Sequence, residues 1–161
     1  MRVQELLKYQ ENDGVLIWRV ARPRVQVGAT AGHVCKSTGY IQVGIEGSLY
    51  QAHRLVWLLC TGEDPGEFQL DHINCDKCDN RIENLRLVTN QQNNMNLSGA
   101  QSNSKSGVLG VYWNKAKNKW QTKIGHNGKI IHLGYFYTIK DATAARIAAE
   151  TTMFGEYAPT R

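Results

Sequence analysis

The stretch Leu70–Asn96, LDHINCDKCDNRIENLRLVTNQQNNMN, sets the frame for the rest of this 161-residue chain. It opens on Asp71-His72, a carboxylate beside an imidazole at the end of a short apolar step. Asn84 follows in Glu83-Asn84-Leu85, and an amide-rich run closes the stretch with Asn90, Asn93 and Asn94. Carboxylate and amide oxygens suit a hard cation such as Mg²⁺ or Mn²⁺. An imidazole close to such a cation takes a proton from water at neutral pH. Read as chemistry, the stretch holds two oxygen ligands, a base and a polar strut.

Asp71, His72, Asn84 and Asn93 resemble the HNH nuclease motif in its His-Asn-Asn form, found in phage and intron-encoded homing endonucleases. The lead-in Gln51-Ala52-His53-Arg54-Leu55-Val56 and the run Asn80-Arg81-Ile82-Glu83-Asn84-Leu85-Arg86 share the likeness. The resemblance implies an N-terminal ββα-metal domain: a strand at 69–72, a second at 85–89, and a helix from about Asn90, around one metal ion. It implies metal-dependent hydrolysis of phosphodiester bonds in double-stranded DNA. Asp71 and Asn93 are then the metal ligands and His72 the general base for water. Asn84 orients His72 or its strand by hydrogen bonding. Asn90, Asn93 and Asn94 share one helix face, so Asn90 or Asn94 stands as an alternative to Asn93. Alternation along a strand points Asp71 and His72 to opposite faces. They serve one site if the ion sits at the strand's end, a geometry taken from the resemblance. The rival reading is a DNA-binding regulator with an inactive nuclease site; all four matched positions hold competent residues, which argues against it.

Composition narrows the class. A hydrophobic share of 42% indicates folded protein. No apolar run approaches membrane-spanning length, and no signal peptide opens the chain. Four cysteines without such a signal read as reduced thiols. The expected location is the cytoplasm of a bacterial host, for a phage- or mobile-element-encoded protein without membrane partner or small-molecule cofactor. Residues 1–96 carry ten Lys/Arg and eleven Asp/Glu, a net of −1, whereas 97–161 carry nine and three, a net of +6. The whole basic excess thus lies in the last third, a candidate footprint for a polyanion.

Taken in order, residues 3–9 read as a short helix and Asn12-Asp13-Gly14 as a turn before a β-rich run, 15–20. Residues 21–39 read as irregular, with Arg19, Arg22 and Arg24 on a solvated loop face. Ile41, Val43 and Ile45 alternate, Glu46-Gly47-Ser48 turns, and 49–52 returns as a hairpin. Residues 53–60 read as a buried helix stopped by Gly62, with His53 as a satisfied histidine at its start. Cys75 and Cys78 form one CxxC, whereas a structural zinc site wants four ligands, so zinc is not expected.

The small, polar run 97–106 reads as a linker between a nuclease domain, 1–96, and a second domain, 107–161. In the latter, 108–114, 119–124 and 129–136 read as strands, and 139–153 as a helix capped by Thr138, with Ala142, Ala145 and Ala149 along one side. Gly110-Val111, Lys119-Trp120, Ile124, Leu133-Gly134, Phe136, Thr138 and the alanine helix resemble the AP2 DNA-binding domain. The resemblance implies a three-stranded antiparallel sheet laid in the DNA major groove, with Tyr112, Asn114, Lys119, Gln121, Lys123 and His132 facing DNA. Plant-type AP2 domains place arginines and a tryptophan at several of these positions, where this chain has Tyr112, Asn114 and His132, so fold transfers better than base specificity. The expected fold class is α+β throughout.

Overall fold

The structure, a computed structural model, describes residues 3–96, 100 and 104–159. Helices and antiparallel strands are mixed, and the chain divides into two compact units, Met1–Gln91 and Gln92–Arg161. Most of the linker expected at 97–106 lies outside the described residues. No described helix is long and apolar enough to cross a membrane.

The first unit begins with helix α1 (Val3–Leu6), which gives over at Leu7 to strand β1 (Leu7–Gln10). This corrects the helix expected over 3–9. β1 pairs antiparallel with β2 (Val15–Trp18), Leu7 opposite Trp18 and Tyr9 opposite Leu16, and those buried cross-strand neighbours outweigh the helical spacing of Leu6 and Leu7. The turn between them carries Gly14 at φ 67°, the left-handed region that glycine adopts without penalty. Residues 21–39 are less irregular than expected: Ile17 bridges Thr30, Arg22 bridges Val25, and β3 (His33–Val34) pairs with β4 (Ile41–Ile45). Arg19 and Arg22 donate to the carbonyls of Gln4 and Gly44, and Arg22 lies over the Trp18 ring, so these two cations staple the fold. β5 (Ser48–Gln51) completes the hairpin with β4 and runs into α2 (Ala52–Thr61), which Gly62 ends in a left-handed cap.

Val3, Leu7, Leu16, Trp18, Val43, Ile45, Leu55 and Val56 form one apolar core, which Leu70 and Leu85 join. Those last two anchor β6 (Gln69–His72) and β7 (Leu85–Val88), an antiparallel pair with Asp71 opposite Arg86 and His72 opposite Leu85. A short helix, α3 (Asn90–Met95), follows.

In the second unit, β8 (Val111–Asn114), β9 (Lys119–His126) and β10 (Lys129–Phe136) form a sheet in the order β10-β9-β8. β8 starts three residues later than expected, because Gly110 at φ 76° packs against the Lys123 carbonyl and the Arg146 guanidinium, where a Cβ has no room. Helix α4 (Ile139–Phe154) starts at Thr138, whose hydroxyl accepts from the Asp141 backbone N–H. Its buried stripe is Ala142, Arg146, Glu150 and Phe154; of the expected alanines only Ala142 is fully buried. Arg146 and Glu150 form a buried pair at 2.7 Å, and Arg146 also donates to the Lys123 carbonyl, tying α4 to β9.

Candidate functional site

His72 ends β6, and its pairing with buried Leu85 sends its ring toward the core. It is only 4% exposed, and its Nε2 lies 2.9 Å from the side-chain oxygen of Asn80, which is 1% exposed. Two further rings close around it. Tyr40 has its centroid 5.8 Å away, and His53, from the first turn of α2, meets it edge-on at 5.1 Å. His53 is buried, yet its Nδ1 has no hydrogen-bond partner among the described residues, which corrects the expectation of a satisfied histidine. Burial first, then the nearby His72 and Arg54, hold His53 down to about 3, so it is neutral at pH 7. Burial, then the Asp71 carboxylate, push the Tyr40 phenol up.

Asp71 points to the other face of the hairpin, as alternation requires. Its Oδ2 accepts from both Nε (2.9 Å) and an NH2 (2.8 Å) of Arg86, the residue opposite it in register. This charge-assisted contact fixes the carboxylate at a position where it is nearly buried.

The loop between the strands is closed by amides. Asn84, the last residue of a 3₁₀ turn (Ile82–Asn84), accepts at its side-chain oxygen from the Asn74 backbone N–H at 3.0 Å. Its amide nitrogen donates to the Asn74 side chain and to the Asp79 carbonyl. Asp79 in turn accepts three hydrogen bonds from Arg81, two from its guanidinium and one from its backbone N–H, and one from Asn74. Those bonds, Arg81 first, hold the Asp79 carboxyl down to about 2. Asn84 thus binds the loop, and Asn80 is bonded to the His72 ring. Sequence reasoning named Asn80 only as the start of a family-like run and gave it no role; Tyr40 and Arg86 were also missed, since only the folded loop and the strand register bring them to the site.

Asn93 lies on α3, half-buried, with Asn90 and Asn94 exposed beside it; Asn90 accepts from the side chain of Gln69. Among the described residues no group of three or more His, Cys, Asp and Glu comes together. Oxygen donors such as the Asp71 carboxylate are hard ligands, a chemistry that suits Mg²⁺ or Mn²⁺. Cys75, at φ 64°, and Cys78, whose Sγ points to the Gly39 carbonyl, form no disulfide among the described residues.

In the second unit, register puts Tyr112, Gln121 and Tyr135 in one row across the sheet, and His132 beside Lys123 in another. This face is opposite the one bearing buried Val111, Thr122 and Ile124, on which α4 lies, with the Thr122 hydroxyl donating to the Ala142 carbonyl. Lys123, Lys117 and Lys119 place their ammonium groups over the rings of Tyr112, Tyr135 and Tyr137, at 5.3, 4.4 and 4.2 Å. Of the six residues expected on this surface, Tyr112 and His132 are exposed and Asn114, Lys119 and Lys123 half-buried. Gln121 is buried, its side-chain oxygen accepting from Asn114 at 2.9 Å.

The antiparallel pair β6–β7 carries a buried histidine and an aspartate on its first strand and is followed by a short helix. Residues 50–95 match a family model described as HNH endonuclease, so this segment is similar to an HNH endonuclease domain. The chain is 31% identical over 109 residues to an uncharacterized HNH endonuclease of Acanthamoeba polyphaga mimivirus, covering 67% of this chain and 55% of that protein. It is also 31% identical over 77 residues to Protein 3.8 of Escherichia phage T7, covering 48% of this chain and 63% of that one. It therefore spans less than two thirds of either relative. No solved structure matches it.

Proposed function

We propose that this protein is a divalent-metal-dependent DNA endonuclease of the homing type, in which the nuclease segment, 1–96, cuts double-stranded DNA and the AP2-like segment, 107–161, holds it. The observation that carries the reading is the position of His72: a nearly buried imidazole, hydrogen-bonded to a neutral amide, inside the segment that matches the HNH family. Asp71 and Asn93 would hold the ion, with Asn90 or Asn94 as alternatives to Asn93. When bound, the ion supplies charge stabilisation to the phosphate and the departing oxygen. His72 takes the proton of the attacking water. Arg86 keeps the Asp71 carboxylate in place, and the Asn84 contacts keep the loop closed.

Support for the second half of the reading is the lysine–tyrosine face. Lysines resting on tyrosine rings present charge without burying it, and such a face suits phosphates first and bases second. A compact cutting site reads little sequence, so a basic module supplies affinity. The test is incubation of plasmid with the protein in Mg²⁺ or Mn²⁺, with and without excess EDTA. Cleavage that appears with the metal and vanishes with the chelator is the expected result. Binding without cleavage under every metal condition would instead favour a regulator with an inactive site, and full activity in EDTA would refute the metal assignment.

A further inference from the structure

We propose that Asn80 is the positioning residue for His72, and that Asn84 acts on His72 through the loop and Asn80. The proposal rests on the nuclease reading above for its catalytic meaning, while its structural content stands on separate observations. An amide oxygen has no proton to give. The 2.9 Å contact between Asn80 Oδ1 and His72 Nε2 is therefore donated by the ring, so Nε2 is a protonated nitrogen of His72. The bond sits between two side chains almost wholly removed from solvent, where breaking it leaves an unmet polar group on each side.

Asn80 is itself held. Its backbone N–H donates to the Cys78 carbonyl, and two residues on, the Ile82 N–H donates to the Tyr9 hydroxyl at 3.0 Å. The β1–β2 turn presses directly on its peptide: a Cβ added at Gly14 would lie 2.8 Å from Asn80 C and 2.5 Å from Arg81 N. Asn84 supplies the remaining constraint. By bridging Asn74 and the Asp79 carbonyl it fixes the two ends of the loop, and Asp79 immediately precedes Asn80. The order of support is thus Asn84, the closed loop, Asn80, then the ring of His72.

Two readouts on the full chain test this. The first is the ¹H–¹⁵N ring spectrum of metal-free protein at about pH 8, where neutral histidine tautomers give distinct patterns. His72 is expected in the Nε2–H form. Asn80→Asp, which keeps an oxygen at the same place, retains that form, whereas Asn80→Ala populates both. A wild-type His72 in the Nδ1–H form would overturn the assignment without any substitution being made. The second is plasmid cleavage. Asn80→Ala and Asn84→Ala are each expected to lower kcat by about 10- to 100-fold with KM unchanged. Their double variant is expected to be no slower than the worse single one. Losses that multiply in the double variant would show Asn84 acting independently and overturn the order of support. A wild-type chain that cuts nothing refutes the nuclease reading, and the ring spectrum still decides the role of Asn80.

Discussion

The hairpin that carries His72 and the sheet that carries Lys119 are both antiparallel β-structure, yet they treat polar groups in opposite ways. Around β6 and β7 the charged and amide side chains are buried and bonded to one another: Asp71 to Arg86, His72 to Asn80, Asn84 to the loop. On the outer face of β8–β10 the cations rest on tyrosine rings at the surface, and Tyr137 is 80% exposed. Burial with mutual hydrogen bonding fixes geometry, which suits the cutting role proposed for this region. Exposure on aromatic rings keeps charge available to a polyanion at little desolvation cost. The charge division follows the same line, −1 before residue 97 and +6 after it.

If the contrast is correct, substitutions in the two regions give different signatures. The largest loss of stability is expected from Arg86→Leu. It strands the Asp71 carboxylate at a nearly buried position, and removing one partner of such a pair costs about 3 kcal/mol or more. A urea melt checks this; a change under about 0.5 kcal/mol would show that the site is wetter than described and blur the comparison. On the sheet, Lys119→Ala and Lys123→Ala are expected to leave stability almost unchanged. Each should flatten the salt dependence of DNA binding by about one unit of slope, read by gel-shift titration in increasing salt. Unaltered slopes would remove this face from the interface.

A finer effect concerns pH. The folded pKa of His53, about 3, lies below its ordinary value near 6.5. Between those values the unfolded chain binds the extra proton and the folded chain does not. The burial of neutral His53 therefore adds stability that is complete above about pH 6.5 and is lost as pH falls toward 3. Melts at pH 7 and pH 5 should differ for the wild type, and the difference should shrink in His53→Phe. An undiminished difference would place the acid sensitivity elsewhere, with Asp79, whose contribution fades only from about 4 toward 2, excluded by its lower window.

Much of the fold was legible because short-range rules decided it. Alternation in Ile41-Gln42-Val43-Gly44-Ile45, the turn at Glu46-Gly47 and the apolar helix ending at Gly62 all appear where the sequence placed them. The strand at Gln69–His72 and its partner from Leu85 lie where the HNH resemblance, not alternation, implied them. Long-range competition was not legible. Leu7 joined a strand instead of a helix because Trp18, eleven positions on, offered it a buried cross-strand partner. Gln121 falls on the expected face by alternation, yet Asn114 covers it by hydrogen bonding across the sheet. The same holds for the site. Residue types and spacing pointed to Asp71 and His72, but the amide that touches His72 depends on how a seven-residue loop, 73–79, closes, and spacing alone does not encode that closure.

The separation of cutting from holding is tested most directly by His72→Ala in the full chain, with single-turnover cleavage and gel-shift affinity measured on the same DNA. If His72 is the base, the cleavage rate falls by about 10²–10⁴-fold, the usual worth of positioned proton transfer, while Kd stays within about twofold. An alanine variant that still cuts near the wild-type rate would contradict the assignment and move the base elsewhere, with His53 the next residue to replace.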